Sequence, residues 1–403
     1  MYSDTITIED RHHISFGMKT PLVVERGSGV QVWDIHGKRY LDFTSGWAVT
    51  SLGHAHPAVV GALLEQAGKI MQNPDSGLTY APARAELLRT LVEITPEHLQ
   101  QYFFTNSGAE ANDAALKLAR KITGRKKVVS TLMSFHGRTI SCTSATGQAI
   151  QRDRYDVLVP HCAFVPYDDP VALHGVVDGE TAAVIVEPVQ GEGGVRVPHD
   201  GYLKVVEDIC RKNGALLIID EIQTGFWRTG PVFASVAAGV RPDFLTLAKG
   251  IAGGFPFGAV AVDRNVAEKI EPGDHGGTYC GNPLGCAVAN ATIRQLVAYG
   301  TELQVRTNGH YLRNQLELLQ MRCPELIKEV RGAGLLLAVE FSDPAIALQV
   351  QQEALERGLI LNLKHGTVLR IFPSLIISRE EIDAGVKILA GVVDLLKFYM
   401  YAL

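Results

Sequence analysis

The chain has 403 residues, of which 46% are apolar and 20% are charged, a composition typical of folded globular proteins and not of disordered chains. Its 38 basic and 43 acidic residues give a formal net charge of −5, so no basic excess is available to hold a nucleic-acid backbone. No apolar run approaches the roughly 20 residues that cross a membrane, and the polar, acidic N-terminus predicts neither a secretory signal nor a transit peptide.

Six cysteines are spread over the chain, at positions 142, 162, 210, 280, 286 and 323. None of them forms a C-x-x-C pair, and a chain of this length needs no disulfides to be stable. They are therefore predicted to be reduced thiols that pack as small apolar side chains, which favours a cytoplasmic location.

The N-terminal part of the chain predicts a β-hairpin. Residues 30–33 (VQVW) and 39–41 (RYL) have the composition of strands, and a His-Gly pair lies at the turn between them. The segment 53–57 (GHAHP) could suggest a pair of metal-binding histidines. Proline directly after His56 favours the start of a helix instead, and no third ligand is obvious, so no metal site is predicted.

The middle of the chain alternates short apolar strands with helices. Its clearest strands, each closed by polar residues, glycine or proline, are residues 128–129, 182–186 and 215–219. Residues 109–122 carry the i, i+3, i+4, i+7 apolar stripe of an amphipathic helix, and Gly124 follows as a stop. This alternation predicts a mostly parallel sheet with helices on both faces.

The two ends of the chain have a different pattern from the middle. Beyond about residue 305, a long helical pattern leads to short strands around 335–341 and 368–372. We therefore predict that residues 51–305 form a large α/β domain. Residues 1–50 and 306–403 are predicted to form the two parts of a smaller α+β domain.

Ligands of open parallel sheets bind beyond the carboxyl ends of the strands, so the residues that follow the predicted strands are the candidates for a site. Four strands deliver such segments, namely residues 105–109 (TNSGA), 187–194 (EPVQGEGG), 220–225 (DEIQTG) and 248–250 (AKG). Taken singly, each segment has an ordinary structural explanation as a turn, a helix cap, a strand end or a surface lysine.

Taken together, these segments indicate one cofactor. Lys249 follows an apolar run, and a lysine whose pKa shifts on burial suits Schiff-base chemistry. The helix start at Ser107-Gly108-Ala109 offers free N–H groups to a phosphate, and Asp220 would keep a pyridine nitrogen protonated. A lysine, a phosphate cradle and an aspartate are what pyridoxal phosphate requires, whereas the chain has neither a P-loop nor a dinucleotide-binding glycine motif.

Blocks along nearly the whole chain resemble, in order, the class III (subgroup II) pyridoxal-phosphate aminotransferases, the family of the acetylornithine, ornithine and 4-aminobutyrate enzymes. The blocks are residues 34–42, 105–112, 135–139, 187–194, 220–225, 247–250, 277–284 and 369–373. The resemblance implies the α/β fold type I of these enzymes, with a mostly parallel, seven-stranded type of central sheet flanked by helices and a smaller α+β domain made from both termini. It also implies a cytoplasmic homodimer that binds pyridoxal 5'-phosphate.

The resemblance assigns the cofactor contacts. Lys249 would bind the cofactor covalently and then move a proton as general base and acid, while Asp220 would pair with the pyridine N–H⁺. Gln223 would hydrogen-bond the phenolic oxygen of the ring. The remaining implied contacts are the ring stack of Phe135 and Ile222, the phosphate cradle of Ser107, Gly108 and Ala109, His136, and Thr278, which would reach the phosphate of the neighbouring subunit's cofactor.

The resemblance also assigns substrate contacts. Arg370 would grip an α-carboxylate with a two-pronged contact, and Glu192 would neutralise that arginine when an ω-amine enters instead. Arg138 would bind the far carboxylate of the donor or of 2-oxoglutarate. A fixed salt bridge between the two domains is the alternative for Glu192 and Arg370.

Two tryptophans depart from the family pattern and leave the donor open. Trp47 stands where the 4-aminobutyrate enzymes carry a smaller aliphatic residue, so it would reshape the donor pocket or else pack in the core. Trp227 replaces a glycine, and if that position has a positive φ, a bulky side chain needs local rearrangement.

The sequence thus predicts a transaminase that moves an amino group from an ω-amino acid or amine to a 2-oxo acid such as 2-oxoglutarate. Acetylornithine, ornithine and 4-aminobutyrate are all candidate donors. The alternatives are a dialkylglycine decarboxylase-like enzyme or an aminomutase of the same fold, and a non-catalytic scaffold. The set of Lys249, Asp220 and Gln223 argues against the scaffold.

Overall fold

The computed structural model of the chain describes residues 2–17 and 19–402. The strands are, in chain order, β1 (Val24–Ser28), β2 (Gln31–Asp34), β3 (Arg39–Asp42), β4 (Gln101–Thr105), β5 (Lys127–Thr131), β6 (Cys162–Val165), β7 (Thr181–Val186), β8 (Leu216–Asp220), β9 (Phe244–Leu247), β10 (Gly258–Val262), β11 (Ile327–Ala333), β12 (Leu336–Phe341), β13 (Leu359–Ile360), β14 (Asn362–Lys364) and β15 (Val368–Ile371).

The helical segments are, in chain order, α1 (Tyr2–His12), α2 (Ser45–Ala48), α3 (Pro57–Ala67), α4 (Pro82–Ile94), α5 (Gly108–Thr123), α6 (Ile140–Ala145), α7 (Ala149–Arg152), α8 (Pro170–Val176), α9 (Tyr202–Asn213), α10 (Ala234–Ala237), α11 (Arg264–Ala267), α12 (Pro283–Ala298), α13 (Thr301–Arg322), α14 (Pro344–Glu356) and α15 (Arg379–Ala402). Two short 3₁₀ turns, Ser76–Leu78 and Lys249–Ala252, stand between them.

The large sheet has seven strands in the order β4-β10-β9-β8-β7-β5-β6. β10 runs antiparallel to both of its neighbours, and the other neighbouring strands are parallel. Every residue of β7 is buried, as expected of a parallel strand that is covered by helices on both faces. The mostly parallel central sheet that the sequence predicts is confirmed.

Helix α5 begins directly beyond the carboxyl end of β4. Ser107 is its N-cap, and the Ser107 Oγ accepts a hydrogen bond of 3.2 Å from the Glu110 N–H. The helix ends at Gly124, whose φ of +66° is the left-handed conformation that glycine adopts readily at helix ends. The predicted helix over residues 109–122 is therefore confirmed, and its N-terminus lies at the carboxyl edge of the large sheet.

Two smaller four-stranded sheets contain the ends of the chain. One has the order β1-β2-β3-β13, and its β2–β3 pair is the antiparallel hairpin that the sequence predicts. In the same sheet β13 pairs with β3 in parallel, so N-terminal and C-terminal strands lie side by side. The other sheet has the order β11-β12-β15-β14. The boundary predicted between residues 305 and 306 falls inside the continuous helix α13.

The two histidines of the 53–57 segment have structural roles. His56 caps the N-terminus of α3, where its Nδ1 accepts a hydrogen bond of 3.2 Å from the Ala58 N–H, so the predicted helix start is confirmed. His54 Nε2 lies 2.8 Å from Asp42 Oδ2. Across residues 2–17 and 19–402, no group of three His, Cys, Asp or Glu side chains could hold a metal ion. None of the helices in these ranges has the length and apolar character to cross a membrane.

Candidate active site

A cavity of about 350 Å³ opens at the carboxyl edge of the large sheet. The segments that follow β4, β7, β8 and β9 all contribute to its walls, so the strand ends predicted to share a site do meet. The residues from the sequence prediction that line it are Ser107, Gly108, Ala109, Phe135, His136, Arg138, Glu192, Asp220, Ile222, Gln223 and Lys249.

Asp220 is the last residue of β8 and is only 4% exposed. Its Oδ2 accepts a hydrogen bond of 2.7 Å from Asn112 Nδ2 and lies 2.8 Å from His136 Nδ1. Its Oδ1 accepts a bond of 3.0 Å from the Ile222 N–H. Because a buried carboxylate is costly without such partners, these contacts fix the carboxylate in a single orientation at the cavity.

A second layer of hydrogen bonds holds the partners of Asp220 in turn. Asn112 Oδ1 accepts a bond of 2.7 Å from Thr246 Oγ1, and Asn112 Nδ2 also donates to the His136 carbonyl at 2.8 Å. Ser130 Oγ lies 3.2 Å from His136 Nε2. Asn112 and Thr246 were not predicted as site residues. A buried amide on the otherwise apolar face of α5 is the sequence signal that points to Asn112.

Lys249 lies two residues beyond the end of β9 and begins a short 3₁₀ turn. Its φ of +44° lies in the left-handed region, which costs a non-glycine residue roughly 1–2 kcal/mol. Burial lowers the pKa of Lys249, and the nearby carboxylates of Glu192 and Asp220 only partly oppose this effect. The amine is therefore shifted towards its neutral form, which is the form that acts as a nucleophile or base.

The N-terminus of α5 forms a cradle for an anion. The first N–H groups of a helix have no acceptor within it, and they carry the positive end of the helix dipole. A Cβ atom at Gly108 would lie 2.7 Å from Ile222 Cδ1, so only glycine allows the helix start to approach Ile222 this closely. The sequence 107–109 thus fits a phosphate group at the cavity.

Gln223 lies at the cavity with one polar atom unused. Its Nε2 is buried and has no hydrogen-bond partner in the part of the chain that the structure describes. Native proteins rarely leave a buried amide unpaired, so a ligand oxygen is expected beside it. On its other side Gln223 is held by Gly191, where a Cβ atom would lie only 1.5 Å from Gln223 Oε1. These residues fit a cofactor that carries a polar ring substituent and a phosphate.

Glu187 is a second buried carboxyl group at the cavity. It directly follows β7, is 5% exposed, and accepts a hydrogen bond of 3.2 Å from the Phe135 N–H at its Oε2. Burial and the nearby Asp220 carboxylate raise the pKa of Glu187 well above its usual range, which favours the protonated form. The sequence identifies Glu187 only as the residue that ends a strand.

Glu192 and Arg370, predicted to pair, are in contact. Arg370 Nη1 lies 2.6 Å from Glu192 Oε1, and Lys364 Nζ lies 2.7 Å from Glu192 Oε2. Burial alone would raise the pKa of Glu192, but Arg370 and Lys364 lower it to about 2. The Nε and Nη2 groups of Arg370 both donate to Asn362 Oδ1, at 2.8 and 2.6 Å. Neither Lys364 nor Asn362 was predicted from the sequence.

Arg138 brings a third cationic side chain to the cavity. Its guanidinium carbon lies 5.6 Å from the centre of the Phe135 ring, within the range of a cation–π contact. Arg138 is otherwise exposed to solvent. The cavity is therefore lined by Arg138, Lys249 and Glu192 together, and Arg370 contacts Glu192.

Three of the predicted site residues do not line this cavity in the single chain, namely Arg370, Thr278 and Trp47. Arg370 is buried and is joined to the cavity only through its contact with Glu192. Thr278 is exposed, and its carbonyl accepts hydrogen bonds from Gln72 Nε2, at 2.7 Å, and from Ser76 Oγ. Trp47 is 61% exposed and lines a separate surface cavity together with Thr44. Core packing, the alternative for Trp47, is therefore not what the single chain shows.

Both tryptophans that depart from the family pattern have a left-handed backbone. Trp47 has a φ of +66° and lies in α2, where all four residues have positive φ angles, so this segment is a left-handed turn. Trp227 has a φ of +65° and is 7% exposed. A bulky side chain thus occupies a left-handed position at each site, at roughly 1–2 kcal/mol per residue.

Comparison with known proteins agrees with this geometry. Residues 15–393 match the family described as aminotransferase class-III. The chain is 43% identical over 391 residues to the acetylornithine aminotransferase of Methanothermobacter thermautotrophicus, covering 97% of this chain and 98% of the relative. It is 41% identical over 394 residues to that of Methanopyrus kandleri, covering 98% and 99%.

Solved structures with the same fold include an ornithine aminotransferase from Toxoplasma gondii. It has a TM-score of 0.94 and 33% identity, covering 99% of this chain and 96% of that chain. Another structure of the Toxoplasma enzyme has PLP at partial occupancy in its active site. The acetylornithine aminotransferase from Elizabethkingia anophelis has a TM-score of 0.86 and 33% identity, covering 97% and 98% of the two chains.

Proposed function

The chain belongs to the class-III aminotransferases, which are pyridoxal-phosphate-dependent transaminases, and on this premise we propose that it transfers the terminal amino group of N-acetylornithine to 2-oxoglutarate. The observation that carries the proposal is a single cavity lined by Lys249, Arg138 and Glu192, with Arg370 in contact with Glu192. Such a cavity combines a reactive amine with cationic side chains for two carboxylates. The acetylornithine aminotransferases named above favour the acetylated donor.

The residues that would hold the cofactor follow from the geometry of the cavity. Asp220 would accept the hydrogen bond of the pyridine N–H⁺. Its partners within the chain, the Asn112 amide and the His136 imidazole, orient its carboxylate for that contact. The unpaired Gln223 Nε2 would donate to the phenolic oxygen of the ring. Ser107, Gly108 and Ala109 would hold the phosphate, and the ring would lie between Phe135 and Ile222, beside His136.

When bound, pyridoxal phosphate withdraws electrons from the carbon that carries the amino group, so that a base can remove a proton from this carbon. Lys249 Nζ is the group that would take this proton and then deliver it to the cofactor side of the amino nitrogen. Its lowered pKa supports this role because it favours the neutral amine, which can accept a proton without first losing one.

The carboxylate contacts would distinguish the two substrates. N-acetylornithine would place its only carboxylate on Arg138, while Glu192 remains on Arg370. 2-Oxoglutarate would place its far carboxylate on Arg138 and its α-carboxylate on Arg370, so Glu192 would have to leave. Neutralising Arg370 in the first case avoids a buried unpaired guanidinium, since Arg370 is 1% exposed.

Ornithine is the second candidate donor, because the ornithine aminotransferase fold matches this chain with a TM-score of 0.94. A decarboxylase or an aminomutase would use the same cofactor residues. These alternatives differ from transamination in their products, which makes them experimentally separable.

A homodimer is inferred from the surface around Thr278. The segment beside it exposes Leu78 (84%), Tyr80 (101%) and Tyr279 (64%), and clustered exposed apolar side chains are typical of interfaces. Thr278 would then reach the partner's cofactor phosphate, which size measurement and a Thr278→Ala variant would test. A cytoplasmic location is inferred from the free cysteines at positions 142, 162, 210, 280, 286 and 323.

The test of the proposed function is a donor panel with purified holoenzyme. N-acetylornithine, ornithine, 4-aminobutyrate and 2-methylalanine are each supplied with 2-oxoglutarate or pyruvate, and kcat/KM is compared. We expect the highest value for N-acetylornithine with 2-oxoglutarate. Carbon dioxide release from 2-methylalanine would identify a decarboxylase, and an absence of turnover with every pair would contradict the transaminase assignment.

A further inference from the structure

Glu192 has a second cationic partner besides Arg370. Arg370 contacts Glu192 Oε1 at 2.6 Å, whereas Lys364 contacts the other oxygen, Oε2, at 2.7 Å. The two cations therefore bind opposite sides of one carboxylate and do not compete for the same atom. The Glu192 side chain is 15% exposed and that of Lys364 is 24% exposed, so water screens this pair only in part.

The position of Lys364 follows from the register of the β14–β15 hairpin. Asn362 lies opposite Arg370, and Lys364 lies opposite Val368. Residues two apart on a strand share a face, so Lys364 and Arg370 are diagonal neighbours on the same face. His365 follows Lys364 directly and has a φ of +51°, which allows the tight turn that joins β14 to β15. Both cations are thus presented to Glu192 by one rigid element.

The backbone of the Glu192 loop is fixed to the same side of the molecule. The Gly191 carbonyl accepts a hydrogen bond of 3.1 Å from Arg370 Nη1, and the Glu192 carbonyl accepts one of 2.7 Å from His365 Nε2. The Gly194 carbonyl accepts one of 2.9 Å from Arg331 Nε. Because the backbone is held at three of the four residues from 191 to 194, Glu192 can leave Arg370 only by rotation of its side chain.

Arg370 cannot move aside in its place. Its Nε and Nη2 groups are both bound to Asn362 Oδ1, so the guanidinium plane is fixed. The Nη1 group is the one that Glu192 Oε1 occupies, at 2.6 Å. A two-pronged contact of an incoming α-carboxylate with Nη1 and Nη2 is therefore possible only after the Glu192 oxygen has left Nη1.

We propose that Lys364 determines specificity at this gate by retaining the Glu192 carboxylate when an α-carboxylate takes Arg370. In the closed form, with Glu192 on Arg370, Glu192 has two cationic partners. In the open form, with a substrate carboxylate on Arg370, Lys364 is the remaining partner of Glu192. An otherwise unpaired carboxylate at the cavity is thereby avoided. Lys364 therefore stabilises the open form more than the closed form and favours 2-oxo acids and α-amino acids. The inference rests on the proposed function, because it assumes a donor that leaves Glu192 on Arg370.

The test is a Lys364→Met variant of the holoenzyme, with the donor and acceptor half-reactions followed separately by absorbance. We expect the KM for 2-oxoglutarate to rise by about three- to tenfold, and the KM for the ω-amino donor to fall slightly. Lys364→Arg should restore the wild-type ratio, since it keeps the charge. Lys387→Met, an exposed lysine on α15, is the matched control and should change neither KM.

A double-mutant cycle with Glu192→Gln separates the mechanism from a general loss of positive charge. If Lys364 acts through Glu192, its replacement should have little effect on the acceptor KM in the Glu192→Gln background. An equal rise of the donor and acceptor KM values, or an undiminished effect in that background, would overturn the inference. A wild-type enzyme that fails to transaminate any ω-amine would instead overturn the proposed function.

Discussion

The two ends of the active-site cavity hold their key carboxylates by different means. Asp220 is bound by an amide, an imidazole and a backbone N–H group, whereas Glu192 is bound by a guanidinium and an ammonium group. Hydrogen bonds of the first kind orient a carboxylate and leave its charge for the cofactor ring. Cations of the second kind can be shared with a substrate anion, so one end is fixed and the other is exchangeable.

The surroundings of the two carboxylates support the same distinction. Asp220 ends a central strand and is 4% exposed, and a second layer that includes Thr246 holds its partners. Glu192 lies in a loop that packs against a hairpin at the other side of the cavity. A chemistry that is common to both half-reactions needs the first arrangement, and an alternation between two substrates needs the second.

Removal of the Lys249 amine should have the largest effect, because the reaction depends on it whatever the two carboxylates contribute. Lys249→Ala should lower kcat by at least about 10²- to 10⁴-fold, because proton transfer by a positioned group is lost. Borohydride reduction of the wild-type holoenzyme should attach the cofactor to a peptide containing Lys249. The exposed Lys126→Ala is the control, and label on a lysine other than 249 in the wild type would refute the assignment.

At the fixed end, Asp220→Asn keeps the shape of the side chain but removes its charge. We expect kcat to fall by about 10²- to 10³-fold for every donor and acceptor alike, because the charge acts on the ring and not on the substrate. Steady-state kinetics with both substrates check this. Asp208→Asn, whose side chain is 67% exposed, is the control. An effect confined to one half-reaction would contradict a fixed role.

At the exchangeable end, Glu192→Gln should alter the preference between substrates more than the rate. Arg370 would lose its carboxylate partner and become available at all times, so glutamate and 2-oxoglutarate should bind more tightly. The ratio of kcat/KM values for α-amino and ω-amino donors should rise by about tenfold. Half-reaction rates with each donor measure this ratio. An unchanged ratio would indicate the fixed salt bridge that the sequence left as the alternative.

The smallest effect concerns pH and Glu187. Its pKa in the folded protein is raised, so its contribution to stability is fully present below about pH 4.5 and is lost as the pH rises through the folded-state value. Glutamine imitates the protonated form. The stability of Glu187→Gln relative to the wild type should therefore increase with pH, as measured by urea unfolding of cofactor-free protein at several pH values. A constant difference would show that Glu187 is not held protonated.

Sequence patterns predicted the fixed end of the site better than the exchangeable end. Asp220 ends a strand and Lys249 comes two residues after one, and both strands are short, apolar and easily recognised. Parallel strands bring their carboxyl ends to one edge. The partner of Asp220 on α5, Asn112, required knowledge of which face of that helix meets the neighbouring strand. The raised pKa of Glu187 depends on its burial and on the distance between two strand ends, which no local pattern specifies.

The contacts of the exchangeable end depend on packing between distant segments. Lys364 is separated from Glu192 by the whole second half of the large sheet and the helices that follow it, and only the hairpin register brings its side chain to the loop. Trp47 shows the same limitation in the opposite sense, because here the sequence predicted a contact that the single chain does not make. Its position in the family pattern pointed to the donor pocket, but a left-handed turn directs the indole to the surface of the single chain.

The parallel pairing of β3 with β13 also has a consequence for biosynthesis. Leu41 pairs with Leu359 and Asp42 with Ile360, so strand β3 lacks its neighbour β13 until nearly the whole polypeptide has left the ribosome. Contacts between such distant positions form late and slowly. The large seven-stranded sheet can assemble earlier, and the β14–β15 hairpin that carries Arg370 should dock last. Pulse proteolysis of nascent chains would reveal this order as late protection of residues near both termini.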